Sequence, residues 1–120
     1  MKLLAERNIQ ITGTIIYLKL FKLYKSYLLL VSDQENMGIG NVSLGSPPII
    51  DGIKPPTASY NLFGVGSKLL STIIVEKVSK ILNAPVLLLL FLKSIVEEEK
   101  IIKPLANLLN EVLDEINNRK

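Results

Sequence analysis

The sequence predicts an α+β domain in which a mainly antiparallel sheet of about five to six strands carries two helices on one face. Three observations support this fold class. The first half of the chain alternates its apolar residues with a period of two, the second half has two segments with apolar residues every three or four positions, and a short, wholly apolar segment separates them. Strands in hairpins followed by helix, strand and helix are typical of α+β domains. The predicted order is β-β-β-β-α-β-α.

A single domain accounts for the whole chain. Its 120 residues are enough for one hydrophobic core, and no repeat or linker divides them, so residues 1–120 are predicted to form one α+β unit. Hydrophobic residues make up 48% and aromatic residues only 6%, which indicates an aliphatic core. The mean hydropathy of +0.36 is high for a domain of this size. Part of the apolar surface is therefore expected to meet a partner.

The first predicted hairpin covers residues 9–32. Apolar side chains of both parities fill residues 9–20, a pattern rich in β-branched residues that favours a strand. Tyr24–Ser26 is the predicted hairpin turn, and Tyr27–Ser32 is the returning strand. Asp33–Asn36 is a polar turn of residues that bond their own backbone.

A glycine-containing third strand and a long loop come next. Met37–Leu44 is the predicted strand, with Ile39 and either Val42 or Leu44 packing inward. Gly45–Pro56 holds four prolines and two glycines, a composition that excludes a helix or a central strand. Long ordered loops are often functional, so we expect this one to contact a partner. Its predicted contact residues are Pro47, Pro48, Asp51 and Lys54.

The second half begins with a fourth strand, Thr57–Phe63, and a first helix, Ser67–Leu82. Ser67 can cap the helix, and Asn83 can take the left-handed position after it. A second helix is predicted to begin near Ile102 or Lys103, because Pro104 fits the first turn of a helix. The predicted apolar stripes are Leu70, Ile73, Ile74, Val78 and Ile81 on the first helix, and Ile102, Leu105, Leu108, Leu109, Val112, Leu113 and Ile116 on the second.

The strand between the two helices is apolar on both faces. It covers Pro85–Leu92, and helices on one side of the sheet would bury only half of its side chains. The other half, either Leu87, Leu89 and Phe91 or their alternates, needs another cover. A second sheet packed face to face is the natural one. We therefore predict a homodimer with a β-sandwich at its centre and the helices outside, with Leu87, Leu89 and Phe91 as the interface strand.

Composition excludes most catalytic chemistry. The chain has no cysteine and no histidine, which rules out thiol catalysis, disulfides, Cys/His metal sites and a histidine base. The serines have no lysine at a diagnostic spacing. No catalytic, cofactor-binding or metal-ligating residue is therefore predicted, and we expect the protein not to be an enzyme. The apolar run at residues 81–92 is too short to cross a membrane, and the first ten residues lack a signal-peptide pattern, so a cytoplasmic protein is expected.

Four short motifs have simpler explanations than a ligand site. Gly38–Gly40 lacks the third glycine and the following helix of a dinucleotide fingerprint. Gly66–Lys68 opens a helix and could hold an anion weakly, or could be an ordinary helix start. Glu97–Glu99 is typical of a solvated charge run. Asp51 is either a partner contact or a turn residue.

A basic interaction surface is the alternative to a protein-binding one. The net charge is +3, and lysines occur at positions 19, 22 and 25 among aromatic residues. In a strand, Lys19 and Lys25 share one parity and Lys22 takes the other, so they do not form one stripe. A small basic nucleic-acid-binding dimer is the alternative hypothesis, to be distinguished by salt-dependent retention on DNA.

The order of elements after residue 57 resembles a known family. A strand ending near a glycine is followed by a helix, an asparagine-containing turn, an apolar strand and a terminal helix. In this order of elements the chain resembles the small proteasome assembly chaperones, the third and fourth of the eukaryotic set. The resemblance suggests that the chain is a prokaryotic or archaeal relative of that family. The matching residues are Leu62, Phe63 and Gly64 at the strand end, Ile74, Val75 and Val78 on the helix, and Lys80, Asn83 and Val86 around the turn.

The resemblance covers residues 18–116 and implies a function. It implies a non-catalytic dimer, either of two identical chains or with a paralogue, that binds proteasome α-subunits during ring assembly. No membrane, cofactor or nucleic acid is part of that implied function.

Overall fold

The computed structural model describes residues 1–47, 57–61, 68–93 and 98–118. They form six strands and two helices. Their bounds are β1 Lys2–Ile11, β2 Thr14–Leu23, β3 Ser26–Ser32, β4 Asn41–Gly45, β5 Ala58–Asn61, α1 Lys68–Leu82, β6 Val86–Phe91 and α2 Glu98–Asn118.

The six strands form one sheet in the order β1-β2-β3-β6-β4-β5. Among these described strands, only the β3–β6 pair is parallel, and the other four pairs are antiparallel. Helix α1 packs over β4, β5 and β6, and α2 packs over β1 on the same face of the sheet. The predicted α+β fold, mainly antiparallel with helices on one face, is therefore confirmed.

The sheet has one more strand at its start than the predicted order. Residues 9–20 were expected to be one strand, but β1 ends at Ile11 and β2 begins at Thr14. The two-residue loop Thr12–Gly13 has φ angles of 47° and 82°. Positive φ at both loop positions matches the twist of a tight hairpin. Glycine adopts this conformation at the second position without a steric penalty. The period-two pattern continues on both sides of this turn, which hides it in the sequence.

The second hairpin turns where the sequence predicts it. Leu23 pairs with Ser26 across the loop, and Lys25 has a φ of 52°. The turn after α1 is also as predicted, because Asn83 takes the left-handed conformation with a φ of 51°. The predicted cap of that helix, Ser67, lies outside the described residues.

The prediction for β4 was wrong in both extent and orientation. Residues 37–40 are not part of the strand, and Ile39 is 52% exposed. The side chains that face the helices are Asn41 and Ser43, followed by Gly45. A Cβ on Gly45 would lie 2.8 Å from the Val75 carbonyl oxygen of α1. Small residues face inward here because the helix backbone passes so close to the strand.

The buried side of helix α1 is rotated about the helix axis relative to the predicted apolar stripe, because α1 packs closely against β4. Leu70, Ile74 and Val78 are buried as predicted, but Ile73 and Ile81 are 36% and 39% exposed. The buried side of the helix instead includes Ser71, Val75, Ser79 and Leu82. Small serines on this side allow α1 to approach β4.

Helix α2 begins earlier than predicted. It runs from Glu98, so Pro104 lies inside it rather than in its first turn. Proline in a helix interior removes a hydrogen bond and costs roughly 3 kcal/mol. Ile101 and Leu105 on either side of it are 1% and 0% exposed, which indicates that core packing outweighs this cost. The predicted stripe is buried except for Ile102, which is half-buried.

The hydrophobic core lies between the sheet and the two helices. Its fully buried members come from β2, β3 and β6 in the sheet and from both helices. Among the described residues, no helix is both long and apolar enough to span a membrane.

Candidate functional site

The two faces of β6 differ in what covers them. Its three side chains toward the helices are almost wholly buried, at 0% exposure for Val86 and Leu88 and 2% for Leu90. The alternate side chains point away from the helices and are only half-buried; they are Leu87, Leu89 and Phe91. Of the two parities left open by the sequence, this is the one on the uncovered side of the sheet.

Neighbouring strands extend this apolar surface across the sheet. Leu87 pairs with Leu28 of β3 on one side and with Leu44 of β4 on the other. Leu89 pairs likewise with Leu30 and Val42. Paired residues project to the same face, with Cβ atoms about 5 Å apart, so the rows are continuous. We define the open face as Phe21, Leu28, Leu30, Val42, Leu44, Leu87, Leu89 and Phe91.

Polar residues border the open face on the β1 side. Lys19 pairs with Leu30 on one side and with Glu6 on the other. Glu6, Asn8, Tyr17, Lys19 and Glu35 help to line a recess of about 130 Å³. An apolar centre with a polar, accessible border is the usual anatomy of a protein interface.

One segment lies against the open face at the end of β6. A Cβ on Gly38 would lie 2.7 Å from Cδ2 of Phe91, so the backbone at this glycine contacts the aromatic ring. Met37 precedes it with a φ of 62°. Gly38 thus serves a close packing contact, and the Gly38–Gly40 motif is followed by strand β4 rather than by a helix.

A buried polar cluster lies on the opposite face, under α1. The Ser43 hydroxyl donates to Asn41 Oδ1 at 2.7 Å. The Ser59 hydroxyl is within hydrogen-bond distance of both, at 2.9 Å from Ser43 Oγ and 3.2 Å from Asn41 Oδ1. The buried Asn41 Nδ2 and Ser71 Oγ atoms have no hydrogen-bond partner within the part of the chain that the structure describes. The cluster contains no ionisable group, so it fits a structural role between strand and helix.

The remaining predicted residues are distributed as follows. Pro47 follows β4 and is half-buried, whereas Pro48, Asp51 and Lys54 lie outside the described residues, as do Gly66, Ser67 and Glu97. Within the described part of the chain, no group of three or more acidic residues is arranged to hold a metal ion.

The three clustered lysines do not share a surface. Lys19 belongs to the border of the open face, while the Lys22 ammonium donates to the Tyr27 hydroxyl at 3.1 Å on the other side of the sheet. Lys25 is in the hairpin turn and lies over the Tyr24 ring at 5.5 Å.

The sequence prediction included only part of the open face. Leu28 and Leu30 were not selected, although β3 carries leucines or valine in both parities, as β6 does. That two-sided apolar pattern is the sequence feature that could have identified β3 as part of the open face. The sequence predicts that either Val42 or Leu44 packs inward, whereas the structure places both on the open face.

Comparison with known proteins finds a similar fold. No family model matches the sequence, and no curated protein does. The structure is similar to a chain from the crystal structure of a novel chaperone complex for yeast 20S proteasome assembly. The TM-score is 0.58 and the sequence identity 11%, over 91% of this chain and 95% of the other. At this identity the similarity shows that the two chains share a fold.

Proposed function

We propose that this chain is a non-catalytic, chaperone-like binding protein that dimerises through its open face and binds proteasome α-subunits in the cytoplasm. The observation that carries the proposal is the continuous apolar surface on the side of the sheet away from the helices. Its centre is formed by Leu30, Leu89 and Val42, in one row across three strands. The fold shared with a chain of a chaperone complex for yeast 20S proteasome assembly supports the choice of partner.

Dimerisation follows from the physical cost of leaving this face in water. Contiguous apolar patches larger than a few hundred Å² are rare on monomeric proteins and mark interaction sites. Two sheets packed face to face at about 10 Å bury such patches against each other. A second identical chain or a paralogue with the same face would satisfy this requirement, with the helices outside in either case.

Binding of α-subunits is assigned to the segment that follows β4. Its residues Pro47, Pro48, Asp51 and Lys54 combine rigid prolines with one charge of each sign. Prolines reduce the conformational entropy that a loop loses on binding. The open face would then hold the dimer together and leave this segment for the α-subunit.

The dimer is tested with charged substitutions on the open face. Leu89→Glu at its centre and Leu44→Glu nearer its edge should each convert a dimer into a monomer in sedimentation velocity. Leu44 is 49% exposed in the single chain, so this variant should still fold. Ile73→Glu is the matched control, because Ile73 is a comparably exposed aliphatic residue on the opposite side of the molecule. A wild-type chain that stays monomeric at high concentration would contradict the dimer.

The partner is tested by co-purification with 20S proteasome α-subunits. We expect capture that survives nuclease treatment and is weakened by Asp51→Lys. Asp114→Lys, at an exposed position of α2, makes the same charge change elsewhere and should have no effect. Capture that disappears with nuclease, together with steeply salt-dependent retention on DNA, would instead support the nucleic-acid hypothesis.

A further inference from the structure

Strand β1 is an edge strand with an unpaired side. It stands at the end of the strand order, and it pairs only with β2 among the described strands. In an antiparallel pair, alternate residues direct their N–H and C=O groups to the neighbour. Ile11 and Thr14 close the two-residue hairpin loop and exchange these bonds, so Ile9 and Arg7 also face β2. Asn8 and Gln10 therefore direct their backbone groups away from the sheet.

Only the first half of this edge is protected. Proteins protect exposed edges with bulges and charged side chains. A β-bulge interrupts the register between Leu3 and Ala5, and Arg7 forms an ion pair with Glu115 of α2. Arg7 also donates to the Glu6 carbonyl oxygen at 2.9 Å. The second half, Asn8–Ile11, has no charge, no bulge and no proline.

A groove lies beside this unprotected half. It has a volume of about 330 Å³ and lies between β1 and α2, with Ile9, Pro104 and Leu108 as its apolar lining. The exposed side chains Lys103, Asn107 and Glu111 complete the lining on α2. Lys103 and Glu111 are eight residues apart, which corresponds to about 12 Å along a helix.

We propose that β1 and this groove bind an extended peptide segment of a partner protein by β-strand addition. The backbone groups of Asn8 and Gln10 would pair with the peptide, and an aliphatic side chain would fill the groove beside Ile9. Peptide residues i, i+2 and i+4 project to one face over about 13 Å, close to the separation of Lys103 and Glu111. The charges of the groove thus select a segment with an acidic residue, an aliphatic residue and a basic residue at alternate positions.

The binding test uses two fluorescent peptides, Ser-Asp-Thr-Leu-Thr-Lys-Ser and the reversed order Ser-Lys-Thr-Leu-Thr-Asp-Ser. We expect saturable anisotropy with at least one of them on the wild-type chain. Replacing its leucine by aspartate should raise Kd at least about tenfold, since a charge would enter an apolar groove. The absence of saturable binding by both peptides would overturn the proposal.

Two variants of the protein test the edge and the groove separately. Asn8→Pro removes an outward N–H without removing a bond to β2, and should weaken binding at least about tenfold. Asn107→Trp should do the same by filling the groove, whereas Asn110→Trp, an exposed position of α2 outside the lining, should not. Undiminished binding by both Asn8→Pro and Asn107→Trp would also overturn the proposal.

A second copy of the chain is the competing occupant of this edge. If the wild-type chain self-associates, Asn8→Pro abolishes that association and neither peptide competes, the site pairs copies of this chain and the peptide proposal is wrong. The dimer proposed above uses the open face and should not respond to Asn8→Pro. Failure of the edge proposal and failure of the proposed dimer are therefore distinguishable.

Discussion

Both faces of the sheet carry aliphatic side chains, but the two faces differ in what covers them. Along β6, Leu88 is 0% exposed beneath the helices, and its neighbour Leu89 is half-buried on the open face. The sequence therefore encodes two apolar surfaces, of which the described residues of this chain cover one. A second apolar surface is consistent with the mean hydropathy of +0.36.

Strand β4 shows the reverse relation between apolarity and burial. Its inward residues are Asn41, Ser43 and Gly45, and its outward residues are Val42 and Leu44. Side chains on the helix side of this strand must be small, because α1 passes close to it. The larger apolar side chains of the strand lie on the open face. In this part of the sheet, the size of a side chain determines whether it can lie on the buried side, and its hydrophobicity does not.

The largest difference between the faces should appear on truncating adjacent leucines. Leu88→Ala leaves a cavity in a packed core and should lower the free energy of unfolding by about 2–5 kcal/mol. Leu89→Ala removes a half-buried side chain and should lower it by about 1 kcal/mol or less in the monomer. Denaturant titration of both variants, with unchanged m-values, measures the two costs.

Protein concentration sharpens the same comparison. If the open face is covered by a second chain, the cost of Leu89→Ala should grow as concentration rises, because the dimer contributes to stability by mass action. The cost of Leu88→Ala should stay nearly constant. Equal costs for the two variants at low concentration would contradict the assignment of the faces.

The predictable part of the fold came from periodicity and from turn residues. The β3 strand, the left-handed Asn83 and the two-sided pattern of β6 all follow from local rules. The turn at Thr12–Gly13 was missed because the alternating pattern continues across it. The start of α2 was missed because a local rule for Pro104 was outweighed by packing of residues on either side of it.

The candidate surface was only partly predictable. The two-sided composition of β6 indicates that one face needs a cover, but it does not show which parity faces the helices. The orientation of β4 depends on the approach of α1 to Gly45, a tertiary contact that leaves no periodic signal in the sequence.

Gly45 on the covered face of the sheet and Gly38 on the open face provide an intermediate test. In Gly45→Ala the new methyl group would meet the Val75 carbonyl oxygen at 2.8 Å, a backbone atom that cannot turn aside. We expect a loss of about 1–3 kcal/mol, as for other overpacked sites. In Gly38→Ala the methyl group would meet Cδ2 and Cγ of Phe91 at 2.7 Å and 2.8 Å, but this half-buried side chain can shift, whereas the backbone of α1 cannot.

Gly38→Ala should therefore lower stability by less than Gly45→Ala does, and the favourable effect of alanine on the unfolded chain offsets part of the loss. Thermal unfolding of both variants and the wild type measures the difference. A Gly38→Ala variant that is as unstable as Gly45→Ala would mean that the open face is packed as tightly as the covered one.

The smallest expected effect concerns charges on the two faces of β1. Arg7 pairs with Glu115 of α2 on the helix side, with side chains 38% and 47% exposed. A double-mutant cycle with Arg7→Ala and Glu115→Ala should give a coupling of about 0.2–1 kcal/mol that decreases with salt. Glu6 and Lys19 lie opposite each other on the open side, where a cross-strand pair has a similar value of roughly 0.2–1 kcal/mol.

The two couplings should differ in their response to salt and concentration. Neither pair is deeply buried in the single chain, so at low concentration both should be screened alike. A second chain over the open face would remove water near Glu6 and Lys19, and their coupling should then become less sensitive to salt as concentration rises. The Arg7–Glu115 coupling should not change, because α2 lies on the other side of the sheet. If the salt sensitivity of both couplings changes in the same way with concentration, a second chain does not cover the β1 border of the open face.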